Sequence, residues 1–168
     1  MGIAYGLMCS IKNRGLILSP QPFITDKEAI MNAEFQEKLE NEFSFMRRHG
    51  GTSRYEKYGC ELQAGWYKVV KGLCLDIVTV YEEKGLEVDI VPQLIKERLG
   101  YFRFYFDIGQ SSMGKIVREL ANKWKTISIT ICEDCGSDGK LKHGLGFVLS
   151  LCDNCYQKRI NKTPTKHT

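Results

Sequence analysis

Four of the seven cysteines in this 168-residue chain form two short pairs near its C-terminus. Cys132 and Cys135 make the first pair, Cys152 and Cys155 the second, and two residues separate the partners in each. This spacing turns both sulfurs of a pair toward one point, so two pairs supply the four thiolates of a tetrahedral structural zinc site. The sixteen residues between the pairs have room for a turn and two short strands. The sequence therefore predicts a zinc ribbon over residues 127–160 that holds one zinc ion.

The type of ligand indicates that this ion is structural rather than catalytic. A catalytic zinc keeps an open coordination position, usually beside histidine or carboxylate ligands, whereas four cysteines close the shell. His143 lies between the pairs but is redundant as a ligand. So small a segment also needs the folding energy that a metal supplies. The alternative is four unligated thiols that happen to share this spacing.

Composition and charge are typical of a folded protein from a reducing compartment. Hydrophobic residues make up 43% of the chain, but no apolar run reaches the ~20 residues that span a bilayer. The N-terminus lacks the features of a signal peptide, and the spacing of Cys9, Cys60 and Cys74 indicates no disulfide pairs. We therefore expect a cytoplasmic protein without membrane contact. The net charge is +4, and residues 111–168 carry ten basic and five acidic side chains. The excess basicity therefore lies at the zinc end.

Apolar residues spaced by three and four positions predict the first two helices. The first helix follows a capping box at Thr25 and Glu28, and it ends near residues 47–51, where basic residues precede two glycines. The second covers roughly residues 62–84 and stops at Gly85. Both are expected to bury one apolar stripe.

A third helix is predicted at about residues 111–125, opened by Ser111 or Ser112 as a capping residue. Its apolar stripe includes a tryptophan, and lysine and arginine fill much of the rest of its surface. Beyond it, residues 126–131 alternate between polar and apolar side chains, which predicts a strand that leads into the first cysteine pair.

Residues 87–108 are predicted to form a β-hairpin. Pro92 indicates that the first arm lies at a sheet edge or carries a bulge. The turn is expected near Leu99 and Gly100, and the second arm alternates so that its side chains divide between two faces. One face carries Phe102, Phe104, Phe106 and Ile108, and the other carries Tyr101, Arg103, Tyr105 and Asp107.

These elements together predict an α+β protein, in which three helices pack on a small antiparallel sheet and a zinc ribbon follows. Residues 1–50 would form an N-terminal arm and helix, and residues 51–126 the α+β core that contains the hairpin. The zinc ribbon would occupy residues 127–160, and residues 161–168 a basic tail.

Tyr101, Arg103 and Tyr105 are the candidate residues for binding a partner. Tyrosine and arginine dominate the energetics of protein interfaces, because they bury a large area at low entropic cost. The same residue types also stack on unpaired bases. The alternative is that a helix or the ribbon covers this face and that Arg103 pairs with an acidic side chain.

Binding of DNA or RNA at the ribbon is an alternative hypothesis for function. Lysine and arginine neutralise phosphates, so such binding weakens steeply with salt. The candidate residues are the basic side chains of the ribbon, namely Lys140, Lys142, Lys158 and Arg159.

Sequence motifs of catalysis are sparse. The chain has no glycine-rich phosphate loop, and its histidines, His49, His143 and His167, are scattered along the sequence. No nucleophile stands beside an evident base, although a cluster could still assemble in the fold. The sequence therefore favours a protein that is not an enzyme.

Three segments, in order, resemble a family of small uncharacterised proteins from bacteria and their phages or prophages. The segments run from Tyr58 to Trp66, from Lys96 to Tyr105, and from Cys132 through the Leu-Cys-Asp-x-Cys motif that ends at Cys155. The resemblance covers roughly residues 55–157. The chain departs from the family pattern at Cys60, where an aromatic is common, and at Tyr101, where the family has a second glycine.

This resemblance implies a cytosolic accessory protein of a mobile element, of the immunity, anti-defence or regulatory inhibitor type. It implies no catalytic activity that could be transferred to particular residues. With the aromatic face of the hairpin, it leads to the hypothesis of a non-enzymatic zinc-ribbon protein that binds an unidentified protein partner. The alternative is a nucleic-acid-binding accessory factor.

Overall fold

The computed structural model describes the backbone of residues 26–162 and the side chains of residues 33–162. The capping box at Thr25 and Glu28 and most of the predicted basic tail lie outside these side chains. Five α-helices, five short strands and two 3-10 turns form in the described residues. The helices are α1 (Asp26–Glu42), α2 (Arg54–Tyr58), α3 (Tyr67–Glu82), α4 (Gly114–Ser128) and α5 (Asp153–Lys162), and the strands are β1 (Cys60–Glu61), β2 (Ile90–Arg98), β3 (Tyr101–Ile108), β4 (Lys140–Lys142) and β5 (Leu149–Leu151).

The prediction of helices with a small sheet and a C-terminal cysteine cluster is confirmed, but the count of three helices is wrong. Helix α2 has five residues, too few to show an apolar period, and its signal is local: the Ser53 hydroxyl accepts a hydrogen bond from the backbone N–H of Glu56 at 3.1 Å. Helix α5 is mostly polar, with Asp153 in its first turn and Arg159 and Lys162 in its last. These charges suit the helix dipole, but a polar helix lacks the stripe that predicts one.

The strand predicted over residues 126–131 is also wrong, because α4 continues to Ser128. Ser128 is fully buried, and its hydroxyl accepts from the N–H of Phe102 and donates to the carbonyl of Lys125. The hydrogen bond with β3 holds Ser128 in the helix, although the polar and apolar residues around it alternate as they would in a strand. Only Ile131 makes an isolated bridge, to Asp138.

The N-cap of α4 also differs from the prediction. Met113 occupies the N-cap position without a side-chain cap. Ser111 instead binds the Asp89 carboxylate through both its N–H and its hydroxyl, each at 2.8 Å. Tyr81 donates to the same carboxylate at 2.6 Å. This cluster ties the start of β2 to α3 and to the segment before α4.

The hairpin is confirmed, with strands β2 and β3 paired antiparallel. Leu99 and Gly100 form its two-residue turn with φ values of 56° and 77°, the left-handed geometry that matches the twist of the flanking strands. The register shifts between Pro92 and Leu94, as a bulge at the proline predicts. The sheet is mixed rather than purely antiparallel, because β1 pairs parallel with β2. Two residues are too few for a sequence pattern to predict that pairing.

The main core surrounds α3, whose residues Val69, Leu73 and Ile77 are fully buried. Phe35 and Leu39 of α1 belong to the same apolar cluster. From the other side, β3 and α4 contribute Phe102, Phe104 and Val117. No helix within residues 26–162 is long and apolar enough to cross a membrane.

A second, smaller cluster lies in residues 131–162, which we call the cysteine ribbon. Its buried members are Cys132, Leu149, Leu151 and Cys155. Strands β4 and β5 pair antiparallel here, with Lys140 opposite Leu151.

Candidate metal centre

Two tight turns position the four ribbon cysteines. In the first, the N–H of Cys132 donates to the Ser137 carbonyl at 2.7 Å, and the N–H of Gly136 donates to the Cys132 carbonyl at 2.9 Å. The second pair opens α5, where the N–H of Cys155 points at the Cys152 sulfur at 3.4 Å. Backbone N–H groups aimed at sulfur are typical of metal-binding cysteine turns.

The four Sγ atoms of these cysteines all lie within 4.8 Å of one another. The Sγ atoms of Cys135 and Cys152 are 3.7 Å apart, and all four cysteines are free rather than disulfide-bonded. A tetrahedral ion with metal–sulfur bonds of about 2.3 Å requires sulfurs about 3.8 Å apart. The cluster therefore could hold a metal ion, which confirms the predicted grouping of Cys132, Cys135, Cys152 and Cys155.

The thiols of this cluster differ in electrostatic environment. Hydrogen bonds with the side chain and backbone of Ser137 lower the pKa of the exposed Cys135 to about 6. Burial raises the pKa of Cys132 and of Cys155. The buried sulfurs need a nearby positive charge to ionise, and a bound cation would supply one.

The 3-10 turn Ala64–Trp66 holds the first cysteine turn against the main core. The N–H of Gly65 donates to the Glu133 carbonyl at 2.8 Å, and the Trp66 indole N–H donates to the Ile131 carbonyl at 2.9 Å. A Cβ atom on Gly65 would lie only 2.4 Å from the Cys132 carbonyl oxygen. This position therefore requires glycine, and the candidate metal centre is built directly onto the start of α3.

The hairpin turn makes a second contact between the core and the cysteine ribbon. A Cβ atom on Gly100 would lie 2.5 Å from a methyl group of Leu141. Ser150 is fully buried, with its hydroxyl 3.0 Å from the Ile129 carbonyl and 3.1 Å from that of Ile131. The ribbon strands thus pack against both the hairpin turn and the end of α4.

Sequence reasoning missed an ionic cluster beside the metal centre. Glu133 is 3% exposed, and burial raises its pKa to about 7 while the Arg159 guanidinium opposes that rise. Arg159 also forms a two-point ion pair with Asp134. Glu97 accepts from the N–H of Gly100, and burial raises its pKa. Arg159 lies 25 and 26 positions from its acidic partners, so no spacing pattern could predict these ion pairs.

The ribbon residues proposed for nucleic-acid binding are mostly engaged within the protein. Lys140 and Lys142 both pair with Asp153, and the ammonium of Lys142 lies 5.1 Å from the ring centre of Tyr156. Arg159 belongs to the ionic cluster. Lys158 is exposed and makes no ion pair within residues 33–162. The structure therefore does not bring these four cations together as one free surface.

Tyr101, Arg103 and Tyr105 share the side of the sheet opposite the buried Phe102 and Phe104, which we call the outer face. Tyr105 is 46% exposed. The Arg103 guanidinium lies 5.7 Å from the Tyr101 ring centre. Arg103 makes no ion pair with any residue whose side chain is described, so the three candidates form a half-exposed, positively charged group.

An open depression of about 580 Å³ lies where α1 and α3 end. Three glutamates line it, Glu42, Glu82 and Glu87, together with apolar residues of the core edge. Glu42 is ion-paired with Lys71 at 2.7 Å, and no histidine is among the lining residues. Ser44 also lines the depression, but its hydroxyl makes no hydrogen bond to these glutamates in the described residues. The absence of enzyme activity stays a prediction.

Comparison with known proteins found no matching family model, no similar curated protein and no similar solved structure. The resemblance to small bacterial and phage proteins therefore stays a prediction. Four residues of the motifs that carry this resemblance do lie together in one part of the structure. Gly65, Trp66, Glu97 and Gly100 all lie where the core meets the cysteine ribbon.

Proposed function

We propose that the chain is a non-enzymatic binding module that is stabilised by one structural zinc ion. The outer face of its sheet binds another protein. Zinc is the ion that a closed shell of four cysteine thiolates most often holds in proteins. The ion stabilises the ribbon, and the ribbon in turn supports the hairpin turn at Gly100. The metal thus acts on function through the position of the hairpin.

One observation carries this proposal: the outer face presents, beside an exposed tyrosine, cations that make no ion pair in the described residues. Lys96, Arg98 and Arg103 make no ion pair within the described part of the chain, and Tyr105 is 46% exposed beside them. Arginine and tyrosine with free polar ends are the side chains that contribute most at protein interfaces. The partner would belong to the immunity, anti-defence or regulatory pathways that phages and mobile elements use.

Nucleic-acid binding by the ribbon is the weaker candidate. Within the ribbon, Lys140 and Lys142 share the carboxylate of Asp153, and Arg159 pairs with Asp134. A cation that is already paired releases fewer counterions when it meets phosphate. Lys158 alone does not make a phosphate-binding surface.

Tagged chain purified from its host under native conditions tests the proposal. We expect a stoichiometric protein to copurify with the parent chain and to be lost from Tyr105→Ala, because truncating one central aromatic weakens a typical interface by about 1–2 kcal/mol or more. Phe147→Ala is the matched control, because Phe147 is 58% exposed but lies in the cysteine ribbon. Recovery of nucleic acid without protein, or a partner that Tyr105→Ala retains, would contradict the proposal.

A further inference from the structure

Two basic side chains lie directly opposite each other on the outer face of the sheet. Lys96 of β2 is the register partner of Arg103 of β3. Like charges in directly opposed positions repel and weaken a sheet. An arrangement that costs stability in the free protein suggests that an anion is bound there when the protein acts.

No acidic side chain in the described structure forms an ion pair with Lys96 or Arg103. Glu61 is the register neighbour of Lys96 on β1, but its ion pair is with Arg54, which bonds to both carboxylate oxygens. The Nε atom of Arg103 is buried and has no hydrogen-bond acceptor within residues 33–162. A donor in this state has lost its water without gaining a partner, which is unfavourable until an acceptor arrives.

Neighbouring residues add to the positive charge. The Tyr101 ring has the Arg103 guanidinium 5.7 Å from its centre and the Lys125 ammonium 5.5 Å from it. Arg98 lies opposite Tyr101 and is exposed. Among the acidic residues of the outer face, only Asp107 stands without an ion pair in the described structure, so cations clearly prevail.

We propose that Lys96 and Arg103 form a carboxylate-binding site, and that the protein partner inserts an acidic segment between them. The site rests on the proposed function and names the chemistry of its partner. The fork of an arginine accepts a carboxylate at two points, while lysine contributes a point charge beside it. A bound carboxylate offers an acceptor to the Arg103 guanidinium and screens the repulsion between the two strands.

The aromatic residues favour an acidic protein over a nucleic acid. Single-stranded nucleic acids bind proteins by stacking successive bases on exposed aromatic rings. On β3, the Tyr101 ring already contacts Arg103 and Lys125, so Tyr105 is the one exposed tyrosine of that strand.

Binding of two polyanions to the full chain tests the site. Fluorescent poly-L-glutamate serves as the carboxylate probe, and a fluorescent oligothymidylate of similar length serves as the phosphate probe. The variants are Lys96→Gln and Arg103→Gln, and Lys158→Gln is the control that removes one exposed charge from the ribbon instead. We expect each sheet variant to weaken poly-L-glutamate binding about tenfold or more, and the control to change it less than about twofold.

Thermal unfolding of the same variants separates binding from a structural role. Because the two opposed charges repel, Lys96→Gln should unfold at the same temperature as the parent chain or higher. Poly-L-glutamate should raise the unfolding temperature of the parent chain but not that of Arg103→Gln. If Lys96→Gln lowered the unfolding temperature, Lys96 would serve the sheet rather than a ligand, and the proposal would be overturned.

Other outcomes would also overturn the site. Equal weakening by all three variants would indicate general charge attraction, and tighter binding of oligothymidylate would make the face a nucleic-acid surface. Absence of poly-L-glutamate binding to the parent chain would remove the site. A copurifying protein that depends on Tyr105 but not on Arg103, and that excess poly-L-glutamate fails to release, would overturn the site while leaving the proposed function intact.

Discussion

The core and the cysteine ribbon are held together by different means. The core buries one large apolar cluster around α3, with Leu73 and Ile77 fully enclosed. The ribbon has four buried residues in its cluster, and two of these are the candidate metal ligands Cys132 and Cys155. Apolar burial is therefore enough to explain the core, whereas we expect the ribbon to depend on a bound metal ion for its stability. The same chain thus contains one unit that should tolerate chelation and one that should not.

The largest expected effect is loss of the metal. Cys152→Ser removes one of the four thiolates, and structural zinc contributes an apparent ~10 kcal/mol or more to the folding of small zinc modules. We expect zinc content to fall from about one ion per chain to near zero, and the amides of β4 and β5 to exchange hydrogen rapidly while those of α3 stay protected.

Cys74→Ala is the matched control, because Cys74 is fully buried in the core and far from the ribbon cluster in sequence. It should leave the zinc content of the chain unchanged. Protected ribbon amides in metal-free Cys152→Ser would show that the ribbon folds without an ion, and the contrast between the two regions would be lost.

The reverse experiment destabilises the core. Leu73→Ala empties a fully buried position, and such truncations cost about 2–5 kcal/mol. Chemical denaturation should show a lower midpoint for the whole chain, with zinc content unchanged in the folded protein. Leu75→Ala is the control, because Leu75 is on the same helix but 46% exposed and should change stability by less than about 0.5 kcal/mol. Equal effects of the two variants would argue against the buried stripe of α3.

A third variant acts where the two regions meet. Gly65→Ala places a Cβ atom 2.4 Å from the Cys132 carbonyl, so the cysteine turn must move away from α3 at a cost of about 1–3 kcal/mol. Hydrogen exchange should quicken at Gly65, at Trp66 and in the first cysteine turn together. Gly114→Ala provides the control, since its Cβ would meet the end of the flexible Arg118 side chain at 3.3 Å and Ile108 at an ordinary contact distance of 3.7 Å. An unchanged exchange pattern in Gly65→Ala would mean that the ribbon is not docked on the core through this turn.

The sequence predicted features that depend on nearby residues and missed those that depend on distant ones. The cysteine cluster follows from local spacing, and the hairpin follows from alternation around Gly100. The strand predicted at residues 126–131 failed because Ser128 is held in the helix by a hydrogen bond from Phe102, a contact across 26 positions.

The same limit applies to the candidate binding residues. Lys142 and Arg159 read as free cations in the sequence, yet each has an acidic partner in the fold. Arg103 reads the same way and makes no ion pair in the described residues. Spacing alone cannot separate these cases, because an ion pair depends on which strands and helices meet.

The smallest expected effect is a pH dependence at the junction between hairpin turn and ribbon. Burial raises the pKa of the Glu97 carboxyl in the folded chain above its ordinary value, so the folded state holds this proton more tightly than the unfolded state does. Its contribution to stability is therefore largest below the ordinary pKa and declines as the pH rises through the folded-state pKa. Glu97→Gln keeps an acceptor for the N–H of Gly100 but cannot titrate. We expect the unfolding free energy of the parent chain to fall relative to that of Glu97→Gln across this pH range, by about 1 kcal/mol or less. Parallel pH profiles for the two chains would show that the carboxyl is solvated and that the ribbon packs less closely on the hairpin turn.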